Sequence, residues 1–221
     1  MRRFTAPGSG ELQLWWTDLD AAPPADGEST LSADESARAA RFVHDVHRRR
    51  YIAAHRVLRE LLARQTGRSA AALQFDIGPY GKPALRGEPA CAFNMSHCDE
   101  LAVYALAPQG DIGVDIERLR EMPDANALAN HHFTKAEQAE LAGTSAHERA
   151  LVFLYGWTRK EACLKAIGCG LQVDPHTFEV GLRPDRRDVL VHAPDGPVTV
   201  TVESFRDGDR AVVSWARVAP S

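Results

Sequence analysis

A chain of 221 residues with 44% hydrophobic and 25% charged side chains is long enough for one large domain or two small ones, with the composition of a soluble globular protein. The formal net charge of −4 gives no overall pull towards nucleic acid, and no apolar run approaches the ~20 residues of a membrane span. Four cysteines (Cys91, Cys98, Cys163, Cys169) lack CxxC spacing and are too sparse for a disulfide scaffold, so reduced thiols in a cytoplasmic protein are expected.

The N-terminus carries two arginines but no apolar h-region, so it is not read as a signal peptide. Glu11 to Asp18 is β-leaning, with Leu12, Leu14 and Trp16 as its apolar residues. The stretch AAPPADGEST then reads as a loop. Ser32-Ala-Asp-Glu35 is a capping box and predicts a helical region reaching about Thr66, with a break near Arg48 to Tyr51. Between Asp34 and Arg68 stand nine arginines against four acids. Such an excess is either a solvated face or an anion site.

After Gly67 come short apolar runs broken by turn residues. LQFDIG, a turn at PYGKP, CAFNMSH and LAVYAL predict three or four strands. In Asp111 to Glu117, Ile112, Val114 and Ile116 alternate with Gly113, Asp115 and Glu117, which puts both carboxylates on one side of a strand. A helical section follows Pro123 and includes a capping box at Thr134 to Glu137.

A further helix of roughly twenty residues is predicted between a third capping box, Ser145 to Glu148, and a C-terminal glycine, Gly168. On a helical wheel Leu151, Phe153, Leu154, Trp157 and Leu164 share one arc. Glu161 falls near its middle and Lys165 about 40° away, while Arg149, Arg159 and Lys160 fall at the rim or the far side. A carboxylate directed inward needs a partner or a metal. FEVGL, DVLVHA, VTVTVES and AVVSWARV are β-leaning, with a hairpin signal at Asp207-Gly208-Asp209.

The order of strand, helices and strands thus occurs twice, with a boundary near Pro108 to Gly110. It predicts an α+β protein of two halves, residues 1–108 and 109–221, with a ligand bound between them. Asp115, Glu117 and Glu161 offer oxygen-only ligands suited to Mg²⁺. Lys165, one turn beyond Glu161, can neutralise a leaving phosphate. His97, beside Ser96 and a basic helix, suits a phosphate as well, whereas Ser96 and His97 have no third member for nucleophilic hydrolysis.

These residues also match a family. Ile112-Gly-Val-Asp115, followed by Trp157-Thr-Arg-Lys160-Glu161-Ala-Cys-Leu-Lys165-Ala, resembles the two-part signature of 4′-phosphopantetheinyl transferases. Tyr80-Gly-Lys-Pro83 and Phe93-Asn-Met-Ser-His97 resemble two further motifs of the larger, Sfp-like class, so the likeness covers most of the chain from Arg38 to Lys165. The resemblance implies a pseudo-twofold arrangement of two similar α+β halves, each an antiparallel-rich sheet packed with helices, with coenzyme A between them. It implies transfer of phosphopantetheine from coenzyme A to a serine of an apo acyl or peptidyl carrier protein, releasing adenosine 3′,5′-bisphosphate. Asp115, Glu117 and Glu161 then correspond to Mg²⁺ ligands, with Glu161 (or a metal-bound water) as base and Lys165 assisting the leaving group. Lys82, Ser96, His97 and Lys165 correspond to contacts with the coenzyme A phosphates, and Arg38, Arg41 and Arg56 to positive charge for the 3′-phosphate. Glu35 departs from the pattern, at a position where Sfp-like enzymes can carry a lysine, and residues 121–144 match no motif. A monomer acting without nucleic acid or membrane is expected. Two rival readings are a Mg²⁺-dependent hydrolase of coenzyme A or a related diphosphate, and a non-catalytic binder of anions or nucleic acid.

Overall fold

The computed structural model describes residues 1–4, 11–21, 30–87 and 91–219. Most of the AAPPADGEST loop therefore lies outside the described residues. The chain divides into two units, one of residues 1–77 with 83–109 and one of residues 78–82 with 110–221. The passage between them falls at Gln109 and Gly110, and the turn Gly78–Lys82, inside the segment expected to be wholly N-terminal, belongs with the second unit. The fold is α+β.

In the first unit the elements are β1 (Arg2–Phe4), β2 (Gln13–Asp18), α1 (Ala33–Ala40), α2 (Asp45–Thr66), β3 (Phe75–Ile77), β4 (Pro83–Leu85), β5 (Ala92–Cys98) and β6 (Leu101–Ala107). An antiparallel sheet has the order β1-β2-β6-β5, and β3 pairs with β4. Apolar residues of α2, among them Ala54, Val57, Leu58, Leu61 and Leu62, pack with Phe93, Tyr104 and Leu106 of the sheet. The buried Tyr104 hydroxyl is satisfied by donating to the Ala54 carbonyl at 3.1 Å.

The capping box at Ser32 forms as expected, with Glu35 N–H donating to Ser32 Oγ and Ser32 N–H to Glu35 Oε2. The break in the helical region lies elsewhere than expected. Arg41 caps α1 and the extended His44 starts α2, whereas Arg48 to Tyr51 run on as unbroken helix. That run contains neither Gly nor Pro to interrupt it. The helix stops at Gly67, whose φ of 71° suits a residue without Cβ.

Part of the arginine excess is answered inside this unit. Arg50 meets Asp20 at 2.6 Å. Arg59, fully buried, donates to Glu35 at 2.7 Å and to the carbonyls of Ala70 and Leu73. His55 Nδ1 lies 3.0 Å from the other Glu35 oxygen. The acid at position 35 thus joins α1 to α2.

Burial opposes ionisation of Glu35, but hydrogen bonds from His55 and Ser32 N–H, with the Arg59 charge, outweigh it and bring the carboxyl down to about 2. A depressed carboxylate stabilises the fold above its ordinary value of 4.5 and loses that contribution as pH falls through about 2. Glu35→Gln is therefore expected to lose about 1–2 kcal/mol at neutral pH, after allowance for solvent screening. Melts over a pH series check this, because the gap in Tm from the parent should close in strong acid.

The second unit contains β7 (Ile112–Arg118), α3 (Ala125–His132), α4 (Lys135–Ala142), α5 (Arg149–Ile167), β8 (Arg187–Ala193), β9 (Gly196–Asp207) and β10 (Ala211–Val218). Its sheet is antiparallel, in the order β7-β10-β9-β8. One end of α5 packs Phe153 and Leu154 with Phe133, Leu141, Leu182 and Val212. The other end packs Ala162, Cys163 and Ala166 with Val180, Val200, Val202 and Ala216. Residues 121–144, which match no motif, hold α3 and α4, and the capping box at Thr134 and Glu137 forms.

Three expectations for this unit are corrected. Ser145 and Glu148 make no capping box, because the Ser145 hydroxyl donates to the Glu148 carboxylate itself at 2.6 Å. FEVGL is not a strand: Val180 N–H donates to Glu137 and the Val180 carbonyl accepts from Arg159, so side chains replace a ladder. Arg159 and Lys160, expected at the rim or far side of α5, are fully buried. α5 is enclosed on most sides, and its half-exposed stripe includes Trp157, Glu161 and Lys165.

None of the four cysteines is in a disulfide; Cys91, Cys163 and Cys169 are buried and Cys98 is half-buried. Complete burial pushes the Cys163 thiol up to about 12, an inert neutral group. Among the described residues no helix is long and apolar enough to cross a membrane.

Candidate active site

The site is built where α5 lies on β7. Register partners share a face of a sheet. Gly113, Asp115 and Glu117 pair with Ala216, Ser214 and Val212, and Ala216 and Val212 pack in the α5 clusters. The two carboxylates therefore face α5, on one side as their spacing predicted. Asp115 is buried and Glu117 half-buried.

From the helix, Lys165 Nζ reaches Asp115 Oδ1 at 2.6 Å. Glu161 stands one turn earlier on the same stripe. Burial raises its pKa, and the charges of Asp115 and Glu117 raise it further against the opposing effect of Lys165. Three carboxylates and one lysine are thus close enough to act on one another.

The arrangement is not a ready-made metal cluster. Among the described residues no three His, Cys, Asp or Glu side chains are gathered as ligands; Asp115 is engaged by Lys165, and Glu117 accepts from Arg120 at 3.0 Å. The donor set still fits a hard divalent cation. All donors are carboxylate oxygens, and the mutual repulsion that raises the Glu161 pKa is the kind a cation relieves.

Lys82 lies in the same unit but does a second job. Its Nζ donates to the Ala166 carbonyl at 2.6 Å and meets Asp111 at 2.9 Å, so it caps the C-terminus of α5. Gly168, at φ 77°, suits a residue without Cβ, and an added Cβ would stand 2.8 Å from Lys82 Cδ and push that side chain aside.

In the first unit, Arg38 and Arg41 are exposed at the end of α1, with Arg38 5.7 Å from the Tyr51 ring centre. Arg56 is half-buried on α2, 3.5 Å from Glu60. Ser96 is buried and His97 exposed. As successive residues of β5 they face opposite sides of the sheet, so their side chains do not form a pair.

Reasoning from the sequence missed the buried ions beneath the site. Lys160 meets Glu137 at 2.8 Å and donates to the carbonyls of Pro175 and Phe178. Burial lowers its pKa, while Glu137 acts to raise it. Arg159 donates to the carbonyls of Val180 and Asp185 and to Ser204. A buried pair stripped of one partner leaves an uncompensated charge, at a cost of about 3–5 kcal/mol. Their signal was the run Arg159-Lys160-Glu161 in a helix with too few polar positions to expose all three.

Residues 111–216 match the profile of the 4′-phosphopantetheinyl transferase superfamily. The chain is 36% identical over 191 residues to the 4′-phosphopantetheinyl transferase HetI of Nostoc sp., covering 84% of this chain and 80% of that protein. It is 29% identical over 177 residues to the 4′-phosphopantetheinyl transferase Sfp of Bacillus subtilis, covering 80% and 77%. The chain belongs to the 4′-phosphopantetheinyl transferase family. It is an enzyme, which sets aside the reading as a non-catalytic binder.

Proposed function

We propose that this protein moves the 4′-phosphopantetheine group of coenzyme A to a serine of an apo acyl or peptidyl carrier protein and releases adenosine 3′,5′-bisphosphate. The observation that carries the reading is the meeting of Asp115, Glu117, Glu161 and Lys165 where α5 crosses β7. Mg²⁺ held by the three carboxylates would supply Lewis-acid charge to the pyrophosphate oxygens. Glu161, made more basic by burial and its acidic neighbours, accepts the serine proton. The serine oxygen forms its bond to the β-phosphorus as the bond to the bridging pyrophosphate oxygen breaks. Lys165 then offers positive charge or a proton to the departing bisphosphate. Lys82, Ser96 and His97 are assigned to the coenzyme A phosphates through the motifs that contain them, and Arg38, Arg41 and Arg56 to its 3′-phosphate as positive charge on or beside α1 and α2. Four cysteines outside any disulfide accord with a reducing cytoplasm, and a monomer suffices for this chemistry.

Intact-mass spectrometry of an apo carrier protein incubated with this enzyme, coenzyme A and Mg²⁺ tests the reading. A gain of one phosphopantetheine group that EDTA abolishes is expected. Steady release of bisphosphate without any carrier would instead show a hydrolase. Lys165→Ala is expected to lower kcat by about 10²-fold while coenzyme A binding, followed by calorimetry, persists.

A further inference from the structure

Behind the carboxylates runs a line of three buried hydroxyls. Asp115, Ser214 and Ser204 are register partners across β7, β10 and β9, so they form one row on the face that α5 covers. Ser204 Oγ and Ser214 Oγ are 2.7 Å apart, and Ser214 Oγ is 2.7 Å from Thr158 Oγ1 on α5. Thr158 and Ser214 have no solvent exposure, and Ser204 has 5%.

The direction of these bonds follows from counting protons, one per hydroxyl. Thr158 donates to the Leu154 carbonyl at 2.8 Å, so it must accept from Ser214. Ser214 has then spent its proton and must accept from Ser204. Ser204 in turn accepts from Arg159 Nη1 at 3.3 Å. The chain runs from a guanidinium to a helix carbonyl and leaves no hydroxyl proton unused, an arrangement that fixes geometry because any break leaves a buried group unpaired.

Two of its three hydroxyls flank the site, the middle one on β10 and the last on α5. Ser214 is the cross-strand neighbour of Asp115, and Thr158 stands one turn before Glu161. We infer that Thr158 and Ser214 are positioning residues that set the distance between the strand carboxylates and Glu161, and through it the affinity for a divalent cation. This rests on the assignment of Asp115, Glu117 and Glu161 as the cation's ligands.

Titration with Mn²⁺, followed by electron paramagnetic resonance without substrate, tests it. Thr158→Val keeps the shape and removes the hydroxyl, and about tenfold weaker Mn²⁺ binding is expected, as for other groups that orient metal ligands. Thr158→Ser restores the hydroxyl and should bind as the parent does. Val202→Ala, in the apolar cluster and outside the hydroxyl chain, should lower Tm without changing Mn²⁺ affinity, which separates positioning from general loosening. If Thr158→Val does not fold, Ser204→Ala breaks the same chain at its far end and should weaken binding in the same sense. Parental affinity in the folded hydroxyl variant overturns the inference. A parent enzyme that binds no Mn²⁺ overturns the ligand assignment itself.

Discussion

Glu161→Gln is expected to abolish transfer while leaving the protein as stable as the parent, or more so. The variant keeps the volume of the side chain at a half-buried position of α5, so no cavity opens. It removes a negative charge that burial and the neighbouring Asp115 and Glu117 make costly. A carboxyl whose folded pKa is raised holds its proton more tightly in the folded state, so its contribution to stability falls as pH rises from the ordinary carboxylate range through the raised value. This is the reverse of Glu35, and the charge of Glu161 is a burden on the fold at neutral pH. Such a burden is retained where function needs it. A fall in kcat of at least ~10³-fold is expected, with a Tm at or above the parent's in the same buffer. Activity near the parental level would remove Glu161 from both the base and the ligand roles.

The placement of the candidate site's carboxylates was more legible in the sequence than the fold around them. Alternation from Ile112 to Glu117 placed Asp115 and Glu117 on one side because a strand has a fixed period of two and needs no tertiary information. The placing of Glu161 and Lys165 one helical turn apart on one side of α5 was visible, although Lys165 bonds to Asp115, and the pattern from Trp157 to Lys165 resembled a family signature. The orientation of α5 was not legible. A wheel assumes one wet face, whereas the surroundings of α5 include Glu137, the carbonyls of Pro175, Phe178, Val180 and Asp185, and the Ser204 hydroxyl. Those groups lie far off in sequence and satisfy Arg159 and Lys160 in the interior, so the basic residues are buried and the stripe of Trp157, Glu161 and Lys165 takes the half-exposed position. The missing strand at Phe178 to Leu182 has the same origin. Its apolar residues were read as a ladder strand, yet its backbone is held by Glu137 and Arg159, a partnership that no local pattern announces. Capping boxes divide on similar grounds: those at Ser32 and Thr134 form from residues within one turn, while at Ser145 the two side chains bond each other instead.

Gly113→Ala is expected to be the most damaging conservative change in the second unit. A Cβ at this position would stand 2.1 Å from the Ala162 carbonyl oxygen, 2.4 Å from Ala166 N and 3.0 Å from the Lys165 carbonyl carbon. All three are backbone atoms of α5 and cannot turn aside, so the whole helix must lift from β7. That separates the buried surfaces of Ala162 and Ala166 from the sheet and carries Glu161 and Lys165 away from Asp115. A loss of about 3–5 kcal/mol is expected, read as a Tm lower by roughly 10 °C or more, with transfer lost even in the fraction that remains folded. Gly156→Ala supplies the comparison. There the added Cβ would meet Leu182 Cδ2 at 2.5 Å and the Phe133 ring at 2.6 Å, both side chains that can rotate within a repacked cluster. Its cost should be smaller, nearer the ~1–3 kcal/mol of ordinary overpacking, and because α5 stays seated on β7 the folded variant should retain transfer. The two alanines add the same methyl group to the same strand–helix unit, so a ranking opposite to this one would show that the close approach of Gly113 to the helix backbone does not set the height of Glu161 and Lys165 over β7.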